Sequence, residues 1–257
     1  MLCQDGKLEL EAPVSRYLPE LSGMKVAADA EAEEASLIKA DREMTVRDLM
    51  RHTSGLPGAN RYMAGQTAVD KLYRQAGLHR LDECNLQEMV ERLGTIPLLY
   101  QPGTKWHYSI AADVLGRLIE VVSNQSFDLF LAERIFQPLA MEDTGFYVPT
   151  EKIDRLVGMY GPRPTGGLQI IEAPQGGTGS YSKTSFRKRP KFLSAGGGLV
   201  STATDFMRFC LMLSEKGQLA GKRLLEVESV ERMTCNHLPP HLVPLDKKPV
   251  ERYGELG

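Results

Sequence analysis

The 257-residue sequence has little of what marks several common classes of protein. Its four cysteines lie far apart with no C-x-x-C pair, a pattern that is neither a disulfide framework nor a zinc signature. The 31 Lys and Arg residues nearly balance the 33 Asp and Glu residues, so the net charge of -2 gives no reason to expect nucleic acid or an anionic membrane as a partner. No apolar run approaches the roughly 20 residues that span a bilayer.

The composition that is present indicates an ordinary soluble globular protein. Hydrophobic residues make up 42% and charged residues 25%, in a chain long enough for one large domain or two small ones. The opening MLCQDGKLELE has neither the basic nor the apolar region of a signal peptide. MLC is typical of the last turn of an apolar helix that ends at Asp5-Gly6. VERYGELG is a Gly-rich stretch that is expected to lead into a further segment of the chain. We therefore expect that both ends of the domain are missing, which leaves the compartment open.

Capped helices are the main predicted elements. Each is predicted by the same pattern: a side-chain oxygen that can cap the helix, apolar residues at helical spacing, and a Gly or Pro at the end. Two short β-prone stretches, GFYVP at 145–149 and GLQII at 167–171, are predicted strands. Residues 24–43 and 174–191 are expected to be loosely held, since the first has no consistent apolar face and the second is rich in Gly, Ser and basic residues. The predicted helix starts are Thr45 with Asp48, Asn85 with Glu88, Ser126, and Thr202 with Asp205.

A tyrosine precedes one of the best-defined helices. Residues 102–120, PGTKWHYSIAADVLGRLIE, place turn chemistry at Pro102-Gly103 and an apolar stripe from Ile110 onward. Tyr108 comes just before that stripe, where a side chain can face the cleft at a helix N-terminus. It is either a packing residue with its hydroxyl bonded or a base for a nucleophile, and without further information the packing interpretation is favoured.

Four long stretches, taken in order, resemble one known superfamily. They are residues 5–21 (DGKLELEAPVSRYLPEL), residues 44–58 (MTVRDLMRHTSGLPG), residues 102–149 around the tyrosine, and residues 194–239, which begin SAGGGLVSTATDF. They resemble the serine β-lactamase-related proteins: class C β-lactamases, low-molecular-weight penicillin-binding proteins and related esterases. The resemblance implies an α+β fold of the β-lactamase/transpeptidase type, mostly its helical lobe with an incomplete antiparallel sheet. Residues 1–257 would then be one partial domain.

The superfamily uses three active-site elements, S-x-x-K, Y-x-N, and a K-T-G or H-x-G strand. By resemblance Tyr108-Ser109-Ile110 is the second element and Tyr108 is the catalytic tyrosine. Ile110 stands where an asparagine would bond a substrate amide, which favours ester or unspecified acyl substrates over β-lactams and D-alanyl peptides. The implied partner is a small-molecule acyl substrate, with no metal or organic cofactor, and the oligomeric state is left open.

The nucleophile is the element that the resemblance does not supply. It places S-x-x-K on the helix that MLCQDGKL finishes, before Met1, and the third element after Gly257. S-x-x-K sequences at 180–183 and 185–188 lie in a Gly-rich basic loop and are interpreted as chance matches, because a nucleophile needs a rigid support. Two hypotheses follow: a serine hydrolase that acts through an acyl-enzyme, or a non-catalytic remnant or binding module without the nucleophile.

Several neighbouring residues receive structural interpretations. His52 in HTSG (52–55) is expected to bond the last carbonyls of its helix, His107 to be a packing or surface residue, and Trp106 to shape the cleft rim. Gly196-Gly197-Gly198 is expected to lead into the next helix. Two prolines separate the histidines of HLPPH (237–241), which rules out the helical spacing of a zinc pair.

Overall fold

The computed structural model describes residues 1–34, 36–58, 67–158, 160–163, 165–170 and 186–243. These residues form an α+β structure in which helices predominate and the strands pair in two-stranded antiparallel sheets. No helix in this part of the chain combines the length and the apolar character needed to cross a membrane. The helices are α1 (Val46–Met50), α2 (Ala68–Gln75), α3 (Leu86–Leu93), α4 (Ala111–Ser123), α5 (Phe127–Leu131), α6 (Ala203–Ser214) and α7 (Val227–Met233). The strands are β1 (Lys25–Ala27), β2 (Leu37–Lys39), β3 (Tyr160–Pro162), β4 (Leu168–Ile170), β5 (Gln218–Leu219) and β6 (Lys222–Arg223).

The predicted caps explain where three of the helices begin. Thr45 with Asp48 and Asn85 with Glu88 form reciprocal capping boxes at α1 and α3. Thr202 caps α6 by accepting from the amide of Asp205. Ser126 lies at the predicted start of α5, but its hydroxyl donates to the Asp128 carboxylate instead of accepting a backbone amide.

Two of these helices, α2 and α7, were not predicted. Thr67 and Asp70 form a reciprocal capping box at the start of α2. The pattern of Thr67 followed three residues later by Asp70 was available in the sequence, and it is the same pattern that identified α1.

The central helix α4 lies in the main hydrophobic core. Its predicted stripe is confirmed, because Ile110, Val114 and Leu118 are fully buried and the other members of the stripe pack against the core. α4 contacts α1, α3 and α5. At Gly116 the approach to α3 is so close that an added Cβ would lie 3.2 Å from the Leu86 side chain. A smaller apolar cluster joins α6 and α7, and it includes Leu139, Met141, Met212, Leu225 and Val230.

The prediction for residues 24–43 was wrong. β1 and β2 form an antiparallel ribbon in which Val26 pairs with Ile38. The backbone of β1 also bonds that of Leu98 in both directions, at 2.8 Å each. β1 carries the apolar side chains into the core whereas every residue of β2 is exposed, so the two short strands together show no repeating apolar face.

The two predicted strands had different outcomes. Residues 167–171 contain β4, which pairs with β3, so that prediction is confirmed. Residues 145–149 do not form a strand, and Gly145 makes only an isolated bridge to Val200. Most of the loop predicted at 174–191 lies outside the described residues, including Ser180, Lys183 and Ser185.

Candidate active site

Tyr108 lies in an extended segment immediately before α4. Ile110 is the residue that caps the helix, and its amide donates to the carbonyl oxygen of Pro57 at 3.1 Å. Gly58 packs so closely that an added Cβ would lie 2.5 Å from the carbonyl oxygen of Tyr108. The loop that follows α1 therefore supports the backbone of this segment. Tyr108 itself is 43% exposed.

His52 contacts each of the residues from 107 to 109. Its carbonyl oxygen accepts from the amide of His107 at 2.9 Å, and its Nδ1 accepts from the amide of Ser109 at 3.3 Å. The rings of His52 and Tyr108 are tilted by 37° with their centroids 4.9 Å apart. The His52 side chain thus faces the tyrosine segment rather than the last carbonyls of α1, and the expectation for its side chain was wrong.

His52 adopts a backbone conformation that is uncommon for residues other than glycine. Its φ is +57°, in the left-handed region that only Gly enters without strain. The chain leaves α1 through this residue and continues into the loop that contacts the Tyr108 segment. Burial lowers the pKa of His52, which favours the neutral imidazole that can accept a hydrogen bond at Nδ1.

A buried carboxylate anchors the residues on both sides of His52. Asp48 is 0% exposed and accepts from Arg51 Nη2 and Thr53 Oγ1, both at 2.9 Å. It also accepts from Arg42 Nη1 at 2.6 Å and from the amide and hydroxyl of Thr45 at 3.0 Å each. Burial alone would raise the pKa of Asp48, but these hydrogen bonds hold it well below its usual range.

Aromatic and cationic side chains surround this segment. His107 packs edge-on against Tyr100 at 5.4 Å between centroids, in agreement with its interpretation as a packing residue. Lys105 Nζ lies 4.3 Å from the centroid of the same tyrosine, which is a cation–π distance. Trp106 is half-buried, with its ring 6.3 Å from that of His52.

Asp113, which the sequence reasoning missed, connects α4 to the Gly-rich segment. Its Oδ1 accepts from Ser194 Oγ at 2.8 Å and from the amides of Ala195 and Gly196 at 2.9 and 3.3 Å. Burial raises the pKa of this carboxyl, and the three donors oppose that effect. The available signal was an acidic residue within the apolar sequence of α4. The glycines after Ser194 are a structural connection to α6, as expected.

No S-x-x-K sequence in the described residues begins a helix. The pattern also occurs at 22–25 and 36–39, which the sequence reasoning did not consider. Ser22 follows a short 3₁₀ turn and is exposed, and Lys25 belongs to β1. Residues 36 and 39 lie along extended chain, where positions three apart point to opposite faces. Ser180 and Ser185 lie outside the described residues.

The histidines of residues 237–241 bond backbone atoms. His237 Nε2 lies 2.5 Å from the carbonyl oxygen of Arg232, and His241 Nε2 lies 3.2 Å from that of Gly103. Arg51 also donates to the carbonyl oxygen of His237 at 3.2 Å. Within the part of the chain that the structure describes, no group of three or more His, Cys, Asp or Glu side chains is placed to hold a metal ion.

Comparisons with known proteins converge on one family. The family model described as Beta-lactamase matches residues 1–241. Protein Rv1367c of Mycobacterium tuberculosis is 33% identical over 238 residues, which are 92% of this chain and 55% of that protein. Esterase EstB of Burkholderia gladioli is 30% identical over 210 residues, which are 79% of this chain and 50% of that protein. The chain therefore spans about half the length of the curated relatives it matches.

A solved structure shows the same fold. The structure of EstCE1, described as a hydrolase with promiscuous acyltransferase activity, superposes with a TM-score of 0.70 at 25% identity. The match covers 89% of this chain and 57% of that chain.

Proposed function

The chain belongs to the β-lactamase family, and we propose that the whole protein is a serine hydrolase of acyl substrates in which Tyr108 takes part in proton transfer. The observation that carries the proposal is the setting of Tyr108. Its ring is half exposed at the start of α4, and its backbone lies on a loop fixed to buried groups. A catalytic group needs that combination of access and rigid support.

The proposed reaction proceeds through an acyl-enzyme. A serine hydroxyl attacks the acyl carbonyl, its proton passes to a base that includes the Tyr108 oxygen, and backbone amides stabilise the oxyanion. The proton then goes to the departing alcohol or amine, and water releases the acid from the serine by the same steps. Since no described S-x-x-K begins a helix, the proposal assigns the nucleophile to a serine outside the described residues.

Ile110 supports ester substrates over amides. It occupies the third position of the tyrosine motif, is 2% exposed, and packs in the main hydrophobic core. It offers no polar group to a substrate amide, so an amide or β-lactam would leave a hydrogen-bonding group unpaired there. An ester without an amide group does not need that partner, which makes esters the favoured substrate class.

The test uses the protein encoded by the complete reading frame that contains these 257 residues. We expect hydrolysis of p-nitrophenyl esters well above that of nitrocefin, and stoichiometric labelling of one serine by a fluorophosphonate. Tyr108→Phe should lower kcat by about 10²–10⁴-fold, since a positioned proton acceptor is lost. Tyr147, which is 42% exposed and lies far along the chain, offers a matched control, and Tyr147→Phe should leave kcat unchanged.

Three results would count against the proposal. A protein that neither hydrolyses esters nor labels would be the non-catalytic binding module instead. Near-normal turnover by a folded Tyr108→Phe enzyme would leave its hydroxyl without a catalytic role. Labelling of the 257-residue chain by itself would move the nucleophile to a serine of this chain, with Ser180 and Ser185 the first to examine.

A further inference from the structure

Three consecutive residues around Tyr108 all depend on His52. The amide on each side of Tyr108, that of His107 and that of Ser109, donates to an atom of His52, and the tyrosine ring lies against the imidazole. The hydroxyl of Ser109 also lies 3.3 Å from Nδ1. Two hydrogen bonds and a ring contact to one residue restrict both the backbone and the side chain of Tyr108.

His52 is itself held from both sides. Arg51 and Thr53 both donate to the buried Asp48 carboxylate, and the amide of Thr53 donates to the carbonyl oxygen of Asp48 at 2.9 Å. In this left-handed conformation the imidazole of His52 contacts Tyr108 and Ser109. A residue in this conformation persists when its surroundings over-determine it, and such residues concentrate at functional sites.

From this geometry we infer that His52 is the positioning residue of Tyr108, an inference that rests on the proposed function. It does not touch the substrate, and its role is to fix the direction in which the Tyr108 hydroxyl points. A displacement of a catalytic group by about 1 Å lowers the rate by about 10²-fold, so loss of the His52 contacts should lower turnover measurably.

The role of the imidazole can be separated from that of its backbone by two substitutions. His52→Gly relieves the left-handed backbone and removes both the acceptor and the ring. His52→Asn tolerates the same φ and keeps a side-chain acceptor close to the place of Nδ1. Asn124→Gly is a matched control, because Asn124 also has a left-handed φ, of +55°, but is exposed at the end of α4.

In the complete-reading-frame protein we expect His52→Gly to lower kcat by about 10–100-fold with little change in KM. His52→Asn should recover most of that loss, and Asn124→Gly should behave as the unmodified protein. In a Tyr108→Phe background His52→Gly should cause no further loss, since it acts through the hydroxyl that is already absent.

The outcomes separate this inference from the proposed function. If Tyr108→Phe is impaired while folded His52→Gly is fully active, the inference is overturned and the proposed function stands. The same holds if His52→Gly costs as much in the Tyr108→Phe background as in the unmodified one. Near-normal turnover of Tyr108→Phe overturns both.

A spectroscopic measurement on the unmodified protein keeps the test open if His52→Gly does not fold. NMR should show nuclear Overhauser contacts between the ring protons of His52 and Tyr108. The ¹⁵N shift of His52 Nδ1 should be that of an unprotonated, hydrogen-bonded nitrogen at neutral pH. Absence of either signal would show that His52 does not make these contacts with the Tyr108 segment in solution, and would overturn the inference.

Discussion

Replacement of Asp48 by asparagine should destabilise the protein strongly while leaving the size of the side chain unchanged. The carboxylate is 0% exposed and accepts hydrogen bonds from Arg42, Arg51, Thr45 and Thr53. Removing one member of a buried ion pair costs about 3–5 kcal/mol, because the partner charge remains without compensation. The Arg42 side chain is 43% exposed and can regain water, but that of Arg51 is 18% exposed. We therefore expect a loss near the lower end, about 3 kcal/mol.

Urea unfolding followed by circular dichroism measures this loss. For a slope of about 3 kcal/mol per molar urea, the unfolding midpoint of Asp48→Asn should fall by about 1 M. Glu11→Gln is the matched control, since it removes a carboxylate that pairs with Arg47 on the same helix but is 71% exposed. An exposed pair contributes about 0–1 kcal/mol, so the control should shift the midpoint far less.

The pH dependence of the difference adds a second criterion. The pKa of Asp48 is lowered in the folded state, so below about pH 4 the unfolded chain binds this proton more readily than the folded chain. The stabilisation is complete above that pH and is lost as the pH falls. The difference in unfolding midpoint between the unmodified protein and Asp48→Asn should therefore become smaller in acid. An Asp48→Asn midpoint equal to that of Glu11→Gln, or a gap independent of pH, would refute the reasoning.

Three further expectations concern stability and surface. Gly55→Ala should destabilise the protein more than Gly23→Ala. Both residues have a positive φ, but only at Gly55 would the new Cβ clash with the carbonyl oxygen of Tyr100. Equal thermal midpoints of the two variants would contradict this. Burial raises the pKa of Asp113, so its contribution to stability should decline as the pH rises above about 4, and Asp113→Asn should flatten that part of a plot of thermal midpoint against pH. Met207 on α6 is 57% exposed in an open surface depression of about 580 Å³ that is lined mostly by apolar side chains. Met207→Glu should therefore weaken binding of a hydrophobic dye, and unchanged dye fluorescence would show that the dye binds elsewhere.

Local signals in the sequence predicted local structure well. The starts of α1, α3 and α6 followed from side-chain caps, and the stripe of α4 followed from its apolar spacing. Both depend on residues within one or two turns, which a sequence shows directly. The β1–β2 ribbon was missed because β1 is held by Leu98, which is distant in the chain.

The candidate site was predicted in part, for the same reason. Tyr108 stood out by its place before α4 and by resemblance, and that assignment stays a proposal. The side-chain contacts of His52 could not be predicted, because they join positions 52 and 109. They also depend on a left-handed φ that no sequence pattern around His52 indicates. The acceptor role of Asp113 toward Ser194 likewise spans 81 positions.

The hydrogen bonds to Asp48 also bear on how the protein folds. The side-chain partners of Asp48 lie at most six positions away, at Arg42, Thr45, Arg51 and Thr53. Closing such short loops costs little chain entropy, so this cluster can form before distant parts of the chain meet. The contact of His52 with Ser109 spans 57 positions and must come later. Substitutions at Asp48 should then slow folding, whereas substitutions at Ser109 should mainly speed unfolding.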